Sequence, residues 1–378
     1  MSESSEGIDR PVTERENGAS RDAGYQPMLD AEAAAREPFS AELMDGRTIA
    51  ADPERPLEDR LEAFEDVFDS EVGDTTLVRA RNVERECGLR QIYLKFDGGN
   101  PTGTQKDRIA FAQVQDAMRR GFDTVTVATC GNYGAAVALA ASVAGMRCEI
   151  VIPESFHTRR VGEMEACGAV IVRTPGDYES AVERSQRDAA DRELYDANPG
   201  GANVQLQLQA YGDIAFEIYD ELRDAPAVIA VPVSNGTTLA GIHKGFVRLL
   251  RRGKTSRVPR MVAGSSSGKN PIVHSFLKGH DTCRDLAPEK VRETRVNEAL
   301  INWHSFDGDM ALAAIRASGG WAADVSDRSM LQQARLVRER EGLNSLLASC
   351  PALVALLARQ AAEPMPPDRY VVVLTGRR

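Results

Sequence analysis

The sequence predicts an α/β fold of open parallel sheets with helices on both faces, in a chain long enough for one large or two ordinary domains. Two observations carry that prediction. From residue 73 onward, short apolar runs rich in Val and Ile alternate with amphipathic stretches of helical length. The runs are apolar at successive positions rather than every second one, the pattern of strands buried on both faces.

Taken in order, "QIYLKF" (91–96) reads as a strand followed by a helix that runs to about residue 120. "TVTVATC" (124–130) reads as a buried strand and "AAVALAASVAG" as its helix. "CEIVIPE" and "AVIVRTP" repeat the strand pattern, each with a helical segment after it. "YGDIAFEIYDELR" is a helix, "AVIAVPV" (227–233) a strand, "TTLAGIHKGFVRLLRRG" a helix and "RMVAGSSS" a strand. "ALVALLARQAA" and "YVVVLTG" close the chain as helix and strand. Ligands of such sheets sit beyond the carboxyl ends of the strands, which directs attention to the loops after residues 130, 233 and 373.

The 378 residues carry a net charge of −10, which disfavours a nucleic-acid or anionic-membrane surface. The charge is unevenly placed: residues 1–70 hold 19 acids and 7 bases, and the remainder holds 37 and 39. Residues 1–35 are polar and acidic and are expected to be disordered. Residues 36–72 read as an extension containing an amphipathic helix at 56–68, with Leu57, Leu61, Phe64 and Phe68 on one face and Pro56 suited to its first turn. That helix must dock on its own body or on a partner subunit. Six cysteines show neither a CxxC nor a zinc spacing, so no metal is assigned. The polar start and the short, Ala-rich apolar runs lead us to expect a cytoplasmic protein without a membrane segment.

The stretch "NPTGTQKDR" (100–108) places a lysine where a helix begins. Thr104 is expected to cap the helix, with Asp107 as its capping-box partner, and Phe111, Val114 and Met118 continue the apolar face. Lys106 then lies at the positive end of the helix dipole, where its ammonium form is disfavoured. An amine that must attack a carbonyl needs that setting. Gly98, Gly99 and Gly103 allow close approach by a flat ligand, and Pro101 and Thr102 stiffen the entry.

"LKFDGGNPTGTQKDR" resembles the lysine motif of the fold-type II pyridoxal-phosphate enzymes, and most of all their threonine synthase branch, which reads K-F/Y-E-x-x-N-P-T-G-S-F-K-D-R. The resemblance implies pyridoxal 5′-phosphate as cofactor, joined through its aldehyde to Lys106. It also implies a large cofactor-binding domain from 73–115 and 195–378, a small α/β domain from 116–194, and a homodimer.

"ATCGNYGAAVALAASVAG" (128–145) resembles the family's S-G-N segment. Carried over, Asn132 contacts the cofactor's phenolic oxygen, and Thr129, Cys130, Gly131 and Tyr133 surround the substrate carboxylate. Cys130 replaces the usual serine and is a weaker donor. "VPVSNGTTLAGIHKGF" (231–246) has the chemistry of an anion cradle, with backbone N–H groups and hydroxyls at a helix start. It resembles the family's phosphate loop, so Ser234, Asn235, Gly236, Thr237 and Thr238 are candidates, with Ser234 and Thr237 standing where the family has glycine. In "VVVLTGRR", Thr375 matches the residue that bonds the cofactor's ring nitrogen. A hydroxyl cannot keep that nitrogen protonated, which suits eliminations in which a leaving group takes the electrons.

Substrate-side segments depart from the family. Asp177 stands where asparagine is usual, "QAYGD" lacks the family's lysine, and Leu346–Leu347 replace Glu-Pro. Lys95, Arg108, Arg159, Arg160 and Lys269 are candidates for binding a second anion. The resulting expectation is a pyridoxal-phosphate lyase of threonine synthase type, converting O-phosphohomoserine and water to threonine and phosphate. Two alternatives accompany it. One is β-replacement or dehydration of a serine- or threonine-type substrate, including a cysteate-synthase-like reaction on O-phosphoserine. The other is a binding or regulatory protein that keeps the fold without catalysis.

Overall fold

A computed structural model describes residues 44–378 apart from Cys130 and His157. The expected disorder of residues 1–35 lies outside these residues.

Among the described residues, ten strands form two sheets. One has six strands in the order β1 (Thr76–Arg79), β2 (Ile92–Phe96), β10 (Tyr370–Leu374), β7 (Val228–Pro232), β8 (Arg260–Ser266) and β9 (Trp321–Val325). The other has four, in the order β5 (Val170–Thr174), β4 (Arg147–Pro153), β3 (Thr124–Ala128) and β6 (Tyr195–Asp196). All pairings are parallel except that of β1 with β2, where Leu77 faces Lys95. Every residue of β3, β7 and β10 is buried, as their continuous apolar character requires. Helices cover the sheets. Pro351–Ala362, for example, packs Ala352, Leu353 and Leu356 into a core shared with Val228, Val262 and Val372.

The helix expected at 56–68 is present as Leu57–Glu71, with Pro56 as its cap residue. Its buried face is Ala63, Phe64 and Val67, rotated from the expected stripe so that Leu57 is exposed. It docks on its own chain. Phe64 stacks on Phe111 at 5.6 Å between centroids, and Phe68 lies 5.7 Å from the same ring. Arg60 donates to the carbonyls of Ala50 and Ala144 at 3.0 and 2.8 Å. Phe111 belongs to the helix Lys106–Arg119, so this extension braces the back of the element that carries Lys106. No helix among the described residues is long and apolar enough to cross a membrane.

Candidate active site

A cavity of about 870 Å³ opens at the carboxyl ends of β2, β3, β7 and β10, where the loops after those strands converge. Its wall includes Lys106, Thr129, Gly131, Asn132 and Tyr133, all of Ser234–Thr238, and Thr375. Cys130 lies outside the described residues.

Lys106 opens the helix Lys106–Arg119. The expected capping box takes another form. Gln105 is the cap residue without a side-chain bond, and Thr104 Oγ1 accepts from the Lys106 N–H at 3.3 Å. Asp107 reaches further back, accepting from the Thr102 N–H at 2.9 Å and its hydroxyl at 2.8 Å. Full burial pushes Asp107 up to about 7, against the Thr102 bonds, the Arg160 charge and the Thr104 N–H, all of which favour the carboxylate.

The loop before Lys106 is zipped to the segment after β10. Thr104 pairs with Gly376, the Gln105 N–H donates to the Thr375 carbonyl at 2.9 Å, and the Arg377 N–H donates to the Gly103 carbonyl at 2.9 Å. Gly103 is left-handed at φ 86°, and a Cβ there would stand 2.9 Å from the Arg377 side chain. These pairings hold Thr375 beside the lysine loop. Its hydroxyl meets that of Ser349 at 2.9 Å, a buried partner that lies in the divergent segment "EGLNSLLASCPAL" and was given no role from the sequence.

The Lys106 Nζ donates to the Tyr211 hydroxyl at 3.2 Å. It lies 5.4 Å from the Tyr133 ring centroid and 5.7 Å from that of Tyr211. Tyr211 belongs to the "QAYGD" stretch, where only the missing lysine drew notice and the tyrosine was given no role. Tyr133 contributes its ring to the cavity, while its hydroxyl turns inward. That hydroxyl donates to the Ala197 carbonyl at 2.7 Å and accepts from Gln113.

Ser234–Thr238 leads into the helix Thr237–Arg251, whose first N–H groups have no intrahelical partner. Gly236 sits at φ 94°, and a Cβ there would meet Ala311 at 2.6 Å and Ile272 at 2.8 Å. The backbone thus makes a turn that a side chain would block. Thr237 donates to Asp307 at 2.5 Å. Burial raises Asp307, opposed by that hydroxyl, the Gly200 N–H and the Lys106 charge. The side chain of Asn235 accepts from Asn302 at 3.1 Å and donates to the Tyr178 hydroxyl at 3.3 Å.

The five candidate cations separate. Arg160 lines the cavity and ties two loops together, donating to Asn132 Oδ1 at 2.8 Å and to the Thr102 carbonyl at 3.0 Å while pairing with Glu163 at 2.6 Å. Arg159 lines the cavity with an exposed side chain and has no ion-pair partner among the described residues. Lys95 and Arg108 do not reach it. Both are buried against Glu217, at 2.5 Å each, and Arg108 also pairs with Asp97 at 2.9 Å. Lys269 stands outside the wall, its carbonyl accepting from Asn302 at 3.3 Å. Arg295 adds a cation to the wall from an irregular segment without a motif.

Acids face this side too. Asp177 accepts from the Trp303 indole at 2.8 Å, and Glu179 accepts from the Trp303 N–H at 3.0 Å. Burial opposes the charge of Asp177, but its bonds from Ser180 and Trp303 prevail and hold it below its usual range. Burial raises Glu179.

An amine, a hydroxyl-rich helix start and a buried hydroxyl pair around one cavity fit an aldehyde-bearing, phosphorylated, flat heterocycle. The family comparison agrees. Residues 68–376 match the model described as pyridoxal-phosphate dependent enzyme, and the chain belongs to that family. It is 30% identical over 286 residues to the threonine synthase of Methanocaldococcus jannaschii, covering 75% of this chain and 69% of that one. Against the threonine synthase of Synechocystis it is 29% identical over 307 residues, covering 80% and 76%. Among solved structures, maize serine racemase superposes with a TM-score of 0.69 at 18% identity over 84% of this chain and 92% of that one. Threonine deaminase isoform 2 of Solanum lycopersicum gives 0.67 at 16% identity, covering 87% and 92%. These two show the fold. The chain is a threonine-synthase-like, pyridoxal-phosphate-dependent lyase.

Proposed function

We propose that the protein converts O-phosphohomoserine and water to threonine and phosphate, with Lys106 as the residue that carries the cofactor. The observation that carries this reading is the meeting of Lys106, the Ser234–Thr238 helix start and Thr375 on one cavity, in a chain similar to threonine synthases. Lys106 would hold the cofactor's aldehyde, residues 234–238 its phosphate, Thr375 its ring nitrogen and Asn132 its ring hydroxyl. When bound, the cofactor supplies an electron-withdrawing ring that makes the substrate's α-hydrogen acidic and lets a leaving group depart.

The chain's own groups do the rest. Thr129, Gly131 and the N–H groups at the start of the helix Asn132–Val143 orient the substrate carboxylate. Lys106 Nζ, released by the substrate's amino group, takes the α-hydrogen as a proton and holds it for later return. The Tyr133 ring shields that nitrogen from water on one side. Arg159 and Arg160 are the candidates for a second anion that the cavity itself supports.

Asp177 and Glu179 favour a second reading. They place carboxylates on the substrate side of the wall, which suits a smaller, uncharged leaving group and hence dehydration or β-replacement on a serine- or threonine-type substrate. We further propose that the six-stranded and four-stranded sheets are the cores of the large and small domains, and that the enzyme works as a cytoplasmic homodimer. The two separate sheets support the first proposal, and family resemblance supports the second. The test of function is turnover of O-phosphohomoserine, O-phosphoserine and threonine in parallel, with released phosphate and new amino acids measured. Threonine formed from O-phosphohomoserine is the expected result, and inertness toward that substrate removes the first reading.

A further inference from the structure

Tyr211 lies on the helix Val204–Leu222, fully buried and outside the cavity wall, yet its hydroxyl accepts from Lys106 Nζ at 3.2 Å. A second tie between the same two helices fixes this contact. Arg108, two residues after Lys106, donates to Glu217, six residues after Tyr211, through Nη1 at 2.5 Å and Nη2 at 2.9 Å. Lys95 adds a bond to Glu217 at 2.5 Å, and Asp97 holds the other edge of the Arg108 guanidinium at 2.9 and 3.0 Å. The neighbouring helix leaves room for the root of the side chain. Gly241 faces it, where a Cβ would stand 2.6 Å from the Cβ of Tyr211.

We infer that Tyr211 is a positioning residue for the Lys106 amine, its hydroxyl holding Nζ in place whenever that amine is free of the cofactor. The inference rests on the reading of Lys106 given above. A phenol both donates and accepts. Its proton can bond a neutral amine, and its oxygen can accept from an ammonium. One group therefore serves Nζ before and after it takes a proton from the substrate, and the phenol need lose no proton itself. A carboxylate in its place would serve the ammonium alone. Phenylalanine would leave only ring faces, which attract a cation and not a neutral amine.

The test uses cofactor-free wild-type protein and Tyr211→Phe. Pyridoxine 5′-phosphate, the alcohol analogue, cannot condense with an amine, so its affinity reports the integrity of the site. The visible absorbance that grows in after pyridoxal 5′-phosphate is added reports condensation of the aldehyde with Lys106, in which one water leaves. Tyr211→Phe is expected to bind the alcohol within about twofold of wild type while condensation slows about tenfold or more. Loss of α-deuterium from a bound amino acid should slow alongside it. Condensation within about twofold of wild type overturns the inference, as does a parallel loss of alcohol binding, which would mark a structural role. Should Tyr211→Phe fail to fold, 3-fluorotyrosine placed at position 211 keeps the ring and makes the phenol more acidic. It is expected to change the condensation rate about threefold or more, and an unchanged rate overturns the inference. Absence of condensation in the wild type would instead remove the reading of Lys106 and this inference with it.

Discussion

Thr375 and Lys106 come to one cavity from neighbouring strands, β10 and β2, and their loops are joined by backbone bonds at residues 103–105, just before the lysine. Thr375 can therefore lose its hydroxyl without losing its place. Thr375→Ala is expected to weaken cofactor affinity about tenfold, the cost of one hydrogen bond, and to cost about 1–3 kcal/mol of stability, because the buried Ser349 hydroxyl loses its partner. Equilibrium titration of the cofactor-free variant measures it, and an affinity equal to wild type would contradict the role of that hydroxyl. Lys106 and Thr375 were legible in the sequence because each sits in a short local motif at the end of an apolar run. Tyr211 and Ser349 stand in stretches that depart from the family's substrate side, and the contact that gives each its place is tertiary, so neither was singled out.

The helix Lys106–Arg119 is held at its first turn by side chains that sequence reading assigned elsewhere. Lys95 and Arg108 were candidates for a second anion because both are basic and lie near the lysine motif. The fold instead buries both against Glu217 and Asp97. A basic residue in a motif looks the same whether its anion belongs to a ligand or to a distant helix. Glu217 answers here from more than a hundred residues away in the chain. Removing one partner of a buried pair strands the other, so Glu217→Gln is expected to destabilise the fold by about 3–5 kcal/mol.

The pH dependence has a definite sign. Burial works against the charge of Glu217, but the bonds and charges of Arg108 and Lys95 outweigh it and bring the carboxyl down to about 2, from an ordinary 4.5. Its stabilisation is complete above the ordinary value and fades as pH falls toward the lower one. Urea unfolding across that acid window should show a steep loss in wild type and a shallower one in Glu217→Gln. Parallel curves would contradict the assignment. The capping of the same helix shows a subtler limit. Asp107 is expected as the capping-box partner of Thr104, but its bonds go to Thr102 instead, because the loop's path through Gly103 brings that residue under the carboxylate.

Across the whole molecule, apolar runs predicted the buried strands and helix periodicity predicted most of their covers. Continuous burial on both faces writes itself into composition. The edge strand β1 and the two-residue β6 were not read as strands because they are short, and β9 was not because it is only partly buried. The helix Leu57–Glu71 was placed correctly in the chain, but its inward face was mistaken by one residue type, Leu57, which the Pro56 turn leaves in solvent. Phe64, fully buried against Phe111, is the anchor of that extension. Phe64→Ala is expected to cost about 3–5 kcal/mol in chemical denaturation. A loss below about 1 kcal/mol would show that the extension is not part of the cooperative core.

The account as a whole depends on the amine of Lys106 being the point of covalent attachment. Borohydride reduction of the protein loaded with pyridoxal 5′-phosphate, followed by peptide mapping, tests it most directly. The predicted result is one label per chain on Lys106, in the peptide that contains "GTQKDR". A label on another lysine, or none at all, would contradict it.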